Sequence, residues 1–225
     1  MLKQAISQKK ANAKKETFTG IMHTVDFEVM YKVKLKRIGK EYSQEQTAFL
    51  MGKHKGYISA KERFETSKGY TVEDICRLSS FLDLDPPSFI PPKYIKGENT
   101  YIGVEFREAG KIYHEARVQA EKNKPGKFLF RLYEHDQSII LHPESQEQQF
   151  NKLKVFLDVL WDAGYFNEAK TPAEIFARSK RLMQHYITPS LVERVINYFI
   201  AKKKIKKILD NGYNVYINYK TIVES

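Results

Sequence analysis

Between Ser43 and Glu62 the chain has little freedom in how it folds. Ser43 is a good helix-starting residue whose hydroxyl can accept from the backbone three positions on, and Gln46 stands where its amide can reach back to Ser43. This reciprocal cap fixes a short helix opening at Gln44. Gly52 then offers the left-handed conformation that ends a helix without steric cost. A second helix begins near Lys55, so a turn of three or four residues separates the two, the length at which paired helices cross. Ala48, Leu50, Met51 and Ile58 supply the shared core, and small Ala48 permits the close crossing.

The flanking sequence continues in helical periods. Phe27, Tyr31, Leu35 and Ile38 stripe a preceding helix, and Thr71-Val72-Glu73-Asp74 is a second capping box leading into Ile75, Leu78 and Leu82. Pro87-Ser88-Phe89-Ile90 closes this group, and Pro86, Pro87, Pro91 and Pro92 punctuate the chain sharply enough to mark a boundary. Residues 26–92 therefore read as a five-helix bundle, preceded by a basic arm over residues 1–25 that holds Lys3, Lys9, Lys10, Lys14 and Lys15.

Beyond residue 92 the pattern mixes. Ile112 to Glu121 alternates as a half-buried strand, although Ile112, Ala116 and Ala120 also fit one helix face. Asn123-Lys124-Pro125-Gly126 signals a turn, and Phe128 to Tyr133 and Ile139 to Leu141 read as strands of a small antiparallel sheet. Three helices follow, one striped by Phe150, Leu153, Leu157, Leu160 and Trp161, and two started by Thr171-Pro172 and Thr188-Pro189. The run Lys202-Lys203-Lys204 leads to Asp210-Asn211-Gly212, a favoured hairpin turn, after which Tyr213, Val215, Ile217 and Tyr219 alternate. Helices followed by a basic hairpin resemble a winged helix. The expectation is an α+β protein: a helix-turn-helix bundle over 26–92, then a mixed α+β domain over 93–225 whose roles are dimerisation, a second nucleic-acid contact or holding an effector.

Glutamine after a capping serine, alanine four residues on, glycine eight on, isoleucine and serine in the second helix and Glu62 at its end together resemble the lambda-repressor-like (XRE) family of helix-turn-helix proteins. The resemblance covers residues of about 26 to 90. It implies that the second helix docks in the major groove of double-stranded DNA. Position by position, it implies that Gln44 clamps a phosphate and that Lys55, Gly56 and Ala60 face the bases, with His54 and Tyr57 beside them. Lys53 and Lys61 depart from the family pattern, which has apolar residues at both places; as cations around the helix they join the candidate contacts, with Arg63 nearby.

Charge supports a polyanionic partner. The chain carries 38 Lys+Arg against 27 Asp+Glu, a formal +11, divided as +5 over residues 1–92, 0 over 93–148 and +6 over 149–225. The excess sits at the two ends. One cysteine, Cys76, excludes an intrachain disulfide and reads as a buried thiol, while the absence of a signal-like apolar run and of any membrane-length apolar segment points to a cytoplasmic protein with no membrane partner. His23, His54, His114, His135, His142 and His185 show no metal-ligand spacing, and there is no Gly-rich phosphate loop or nucleophile elbow. No catalytic residue, metal or cofactor is expected. Trp161 reads as core, and the tyrosines of the last strand as sheet packing rather than base-stacking groups. The functional expectation is a DNA-binding transcriptional regulator acting as a homodimer. The alternative is a protein-interaction module, such as an antitoxin or assembly factor, with a degenerate helix-turn-helix.

Overall fold

The structure, a computed structural model, describes residues 15–64, 69–93, 97–119, 126–136, 143–183 and 187–220. Its element order is β1 (Glu16–His23), α1 (Thr24–Gly39), α2 (Gln44–Met51), α3 (Tyr57–Glu62), α4 (Val72–Leu82), α5 (Pro86–Phe89), β2 (Glu98–Glu108), β3 (Lys111–Gln119), β4 (Lys127–His135), α6 (Pro143–Asp162), α7 (Pro172–Met183), α8 (Pro189–Ala201), β5 (Ile205–Asp210) and β6 (Tyr213–Asn218). The expected strand at 139–141, most of the turn at 123–126 and, of the arm lysines, Lys3, Lys9, Lys10 and Lys14 lie outside the described residues, while Lys15 is exposed. Among the described residues no helix is long and apolar enough to cross a membrane.

The protein is mixed α+β, but the free-standing N-terminal five-helix bundle is not found. A strand comes first: residues 16–23, expected in the basic arm, form β1 and pair antiparallel with β2, Glu16 opposite Glu105 and Phe18 opposite Gly103. The alternation Phe18, Gly20, Met22 turns inward while Thr17, Thr19 and Ile21 turn out, as a strand with one covered face requires. Gly20 is needed for close approach, since a Cβ there would lie 2.3 Å from the Phe64 carbonyl oxygen. β1 opens a four-stranded antiparallel sheet of order β1-β2-β3-β4, and the helices α1 to α5 are strung between its first and second strands.

The sheet changes what α1 must bury. Phe27 and Met30 join Met22, Phe64, Tyr101 and Ala116 in a core against the sheet, with the Phe27 and Tyr101 rings stacked 4.0 Å apart. Val29 and Val33 face the opposite way, into the helical core. A helix covered on two sides cannot show the single stripe expected from Phe27, Tyr31, Leu35 and Ile38, and Leu35 is 43% exposed.

The helical core runs through both halves of the chain. Ala48, Leu50, Met51, Ile58, Leu78 and Leu82 pack in one cluster with Leu153, Ile175, Val192, Val195 and Phe199. Side chains of this size, fully buried, each contribute about 1.5–3 kcal/mol. The helices of residues 24–89 thus obtain much of their core from α6, α7 and α8. Trp161 is half-buried and donates from Nε1 to the Lys204 carbonyl at 3.0 Å. Cys76, expected inside, is exposed, because α4 turns Ile75, Leu78 and Leu82 inward and leaves position 76 on its outer side.

A buried ionic network ties the sheet to the helices. Arg37, with no exposed surface, donates from Nε and Nη2 to the two oxygens of Glu62 at 2.9 Å each, and from Nη1 to the Tyr42 carbonyl at 2.8 Å and to Glu134 of β4 at 2.5 Å. Lys34 lies 3.3 Å from Glu62. His114 of β3 sets Nε2 2.7 Å from Glu134 and Nδ1 3.5 Å from Glu105. Burial opposes the charge on Glu62, yet Arg37 and Lys34 hold its carboxyl well below the ordinary carboxylate range.

Candidate nucleic-acid interface

Ser43 and Gln46 form the reciprocal cap that starts α2, Ser43 Oγ accepting from the Gln46 N–H at 3.1 Å and Gln46 Oε1 from the Ser43 N–H at 3.0 Å. Gly52 ends α2 at φ +76°, and α3 follows from an N-cap at Gly56. The segment is therefore a helix-turn-helix in geometry, with a second helix of only six residues.

The C-terminal hairpin docks on its turn. The Asn214 N–H donates to the Gly52 carbonyl at 2.7 Å, and Lys53 Nζ donates to the Gly212 carbonyl at 3.1 Å while lying 3.4 Å from the centroid of the Tyr213 ring. Asp74 fastens both partners. Its Oδ2 accepts from the Tyr57 hydroxyl at 2.7 Å and its Oδ1 from the Tyr213 hydroxyl at 2.9 Å, so α3 and β6 are hung on one carboxylate. Burial disfavours the charge, but the bonds from Tyr57, Thr71 and Tyr213 hold the Asp74 pKa below its ordinary value. Burial first, with the Asp74 bond adding to it against Thr71, pushes the Tyr213 hydroxyl up to about 12, leaving it a neutral donor.

The residues expected to contact DNA divide into two groups. His54, Lys55 and Gly56 are exposed, and Ala60 is half-buried on α3. The others are engaged within the chain. Gln44 is half-buried and donates from Nε2 to Glu62 at 2.9 Å; Tyr57 is held by Asp74; Lys53 is held by the hairpin. Lys61 is 7% exposed and donates to the Gly69 carbonyl at 2.7 Å, its ammonium 5.3 Å from the Tyr57 ring and 5.6 Å from the Tyr70 ring. At both places the lysine has a packing role, since the stem covers apolar surface while the ammonium finds a carbonyl and a ring. Arg63 is likewise bound to Glu16, at 2.5 Å.

Sequence reasoning placed the basic hairpin in the chain but not its neighbours in space. Lys206 and Lys207 of β5 are exposed, as are Lys202 and Lys203 at the end of α8. Glu193 of α8 marks the junction: burial raises its pKa, with Lys55 and Lys207 pulling it down and Glu45 pushing it up. Lys55 from the helix-turn-helix and Lys207 from the hairpin therefore act on the same carboxylate. Lys55 also lies 3.6 Å from Glu45, an exposed pair that costs little to open. Searches of known protein families, of characterised proteins and of solved structures found no match to this chain.

Proposed function

We propose that this chain binds double-stranded DNA through a composite surface, the exposed His54-Lys55-Gly56 turn of the helix-turn-helix together with the basic hairpin β5–β6. One observation carries the reading: the hairpin is locked to the Gly52 turn, so Lys55 and Lys207 share one neighbourhood around Glu193. The short α3 leaves few side chains for base edges, and the neighbouring lysines supply phosphate contacts that orient it. The order α6, α7, α8, β5, β6 resembles a winged helix, with the bridge between Lys170 and Tyr216 joining the α6–α7 connection to the hairpin. In that likeness β5–β6 is the wing. A role in transcriptional regulation rests on this DNA binding.

Duplex affinity measured by mobility shift across salt concentrations tests the proposal. Each neutralised phosphate adds a slope of about −0.9 in log affinity against log salt. Lys55→Glu and Lys207→Glu should each weaken binding and flatten the slope. Salt-independent affinity, or affinity untouched by both changes, would refute it.

A second reading, a protein-interaction module, draws on one observation: Gln44, Lys53, Tyr57 and Lys61 are engaged inside the chain. It requires that random duplex not bind at low salt.

A further inference from the structure

We propose that the outer face of the four-stranded sheet is the surface on which two copies of this chain pair. The register defines that face. Rows crossing β2, β3 and β4 run Ile102–Arg117–Phe128, Val104–Glu115–Arg131 and Phe106–Tyr113–Tyr133. The groups that pack on the sheet, α1 and Phe64, lie on the opposite face. Phe128 is 51% exposed and Tyr133 48%.

The composition of the face is that of a protein contact. The Phe106 and Tyr113 rings stack at 4.9 Å and 8°, and the Tyr113 and Tyr133 rings follow at 6.0 Å, a continuous aromatic row. Aromatic residues and arginine are the types enriched at the centre of protein interfaces, and lysine is depleted there. A nucleic-acid strand needs instead a track of unneutralised cations. Here Arg131 donates to Glu115 at 2.7 Å, and Lys111 stands opposite Glu108 in register with its ammonium 4.1 Å from the Tyr133 ring. Of the cations in these three rows, only Arg117 has no ion-pair partner among the described residues.

That arginine makes the face complementary to itself. A two-fold axis between the sheets, running across the strands through the Val104–Glu115–Arg131 row, carries the Arg117 row of one copy onto the aromatic row of the other. Guanidinium then meets aromatic rings, twice by symmetry. The area suffices. Four strands spaced about 4.8 Å apart, with the eight residue pairs of β1 and β2 rising about 3.4 Å each, span roughly 500 Å² in projection. Two copies together bury roughly 1,000 Å² before side-chain relief is counted, the lower bound for a specific interface. Because α1 and Phe64 lie across the other face, and α2 packs away from the sheet with α7 and α8, pairing leaves the helix-turn-helix and hairpin of each copy outside. The inference stands independently of DNA binding.

Light scattering on the full chain without DNA should return twice the chain mass. Arg117→Glu and Tyr133→Asp should each raise the dimer dissociation constant by about 30-fold or more, as loss of a central interface residue does. Both positions are exposed, so the thermal unfolding of the dissociated variants should show a folded chain. Lys55→Glu should remain dimeric. A wild-type monomer at every concentration, or a dimer unaffected by both variants, would overturn the proposal. So would a monomer that binds single-stranded oligothymidylate and loses it with Tyr133→Asp. A dimer that binds no duplex would leave the pairing standing and end the DNA reading alone.

Discussion

The main-chain N–H of Asn214 donates to the carbonyl of Gly52 at 2.7 Å, which makes the C-terminal hairpin a fixed part of the helix-turn-helix rather than a neighbour of it. The contact depends on glycine. At φ +76°, a Cβ on residue 52 would stand 2.6 Å from the Asn214 carbonyl oxygen.

Gly52→Ala should therefore cost about 2 kcal/mol or more, combining the left-handed penalty of an L-residue with displacement of β6. Urea unfolding reads the loss, and limited proteolysis should show faster cleavage within 205–218. A variant as stable as the parent would mean that the turn tolerates a different seat for the hairpin.

Glu62→Ala should destabilise the protein by about 3–5 kcal/mol, because it leaves Arg37 and Lys34 buried with too little opposing charge. Gln44→Ala removes only one bond to the same carboxylate and should cost about 1 kcal/mol. Equal losses in urea titrations would show that the network does not centre on Glu62.

Acid should weaken the fold in two stages. His114 is faced by Glu134 from β4, Glu105 from β2, Lys34 from α1 and Glu62 from α3. Burial and then the field of Lys34 lower its pKa from the ordinary 6.5, against the pull of Glu134 and Glu62. The unfolded chain takes up that proton first, so this contribution is complete above about pH 6.5 and is lost as pH falls below it. A second decline begins near the ordinary carboxylate value of 4.5. Burial opposes ionisation of Glu62 and Glu134, but Arg37 and Lys34 for the one, and His114 and Arg37 for the other, hold their pKa values down. Their stabilisation is present above 4.5 and disappears as pH drops towards the lowered folded values. Urea midpoints measured against pH should show both declines, and His114→Gln should abolish the upper one.

Asp74→Ala should weaken the proposed DNA binding although Asp74 is 1% exposed. It removes the bond that Asp74 Oδ2 accepts from the Thr71 N–H at the start of α4 and the two tyrosine hydroxyl bonds that align α3 with β6, for a stability loss of about 3 kcal/mol. Affinity should fall while the salt slope stays near the parent value, since no phosphate contact is deleted. A flatter slope would instead point to loss of lysine contacts.

Local signals in the sequence were legible because their physics is local. Ser43 with Gln46, Thr71 with Asp74, Pro172 and Pro189 at helix starts and Asn211-Gly212 at the hairpin turn all sit where their own chemistry places them. β1 is not legible in the sequence although Phe18, Gly20 and Met22 alternate, because its partner β2 lies beyond five helices. In the sequence the lysines of the helix-turn-helix stand as candidate DNA contacts, two of them at places where the family resemblance implies apolar residues. Lys53 and Lys61 are instead anchored on carbonyls and rings, one of them supplied by a strand more than 150 residues away. Composition assigned the middle segment no net charge, which is correct as a sum. It conceals that Glu105 and Glu134 turn inward to His114 and Arg37 while Arg117 turns out.

Gln46 bonds Ser190 across a sequence separation of 144, Asp74 bonds Tyr213 across 139 and Lys53 reaches Gly212 across 159. Each contact closes a loop of most of the chain, and the entropy of that closure is spent before the contact returns anything. The helix-turn-helix is thus encoded early but completed late: during synthesis, the turn at Gly52 waits for β6 to emerge before it has its hydrogen-bond partner. High contact order of this kind slows folding. A nascent chain halted before residue 172 would expose the half-built core that α2 shares with α7 and α8, and chaperone demand should peak in that interval of translation.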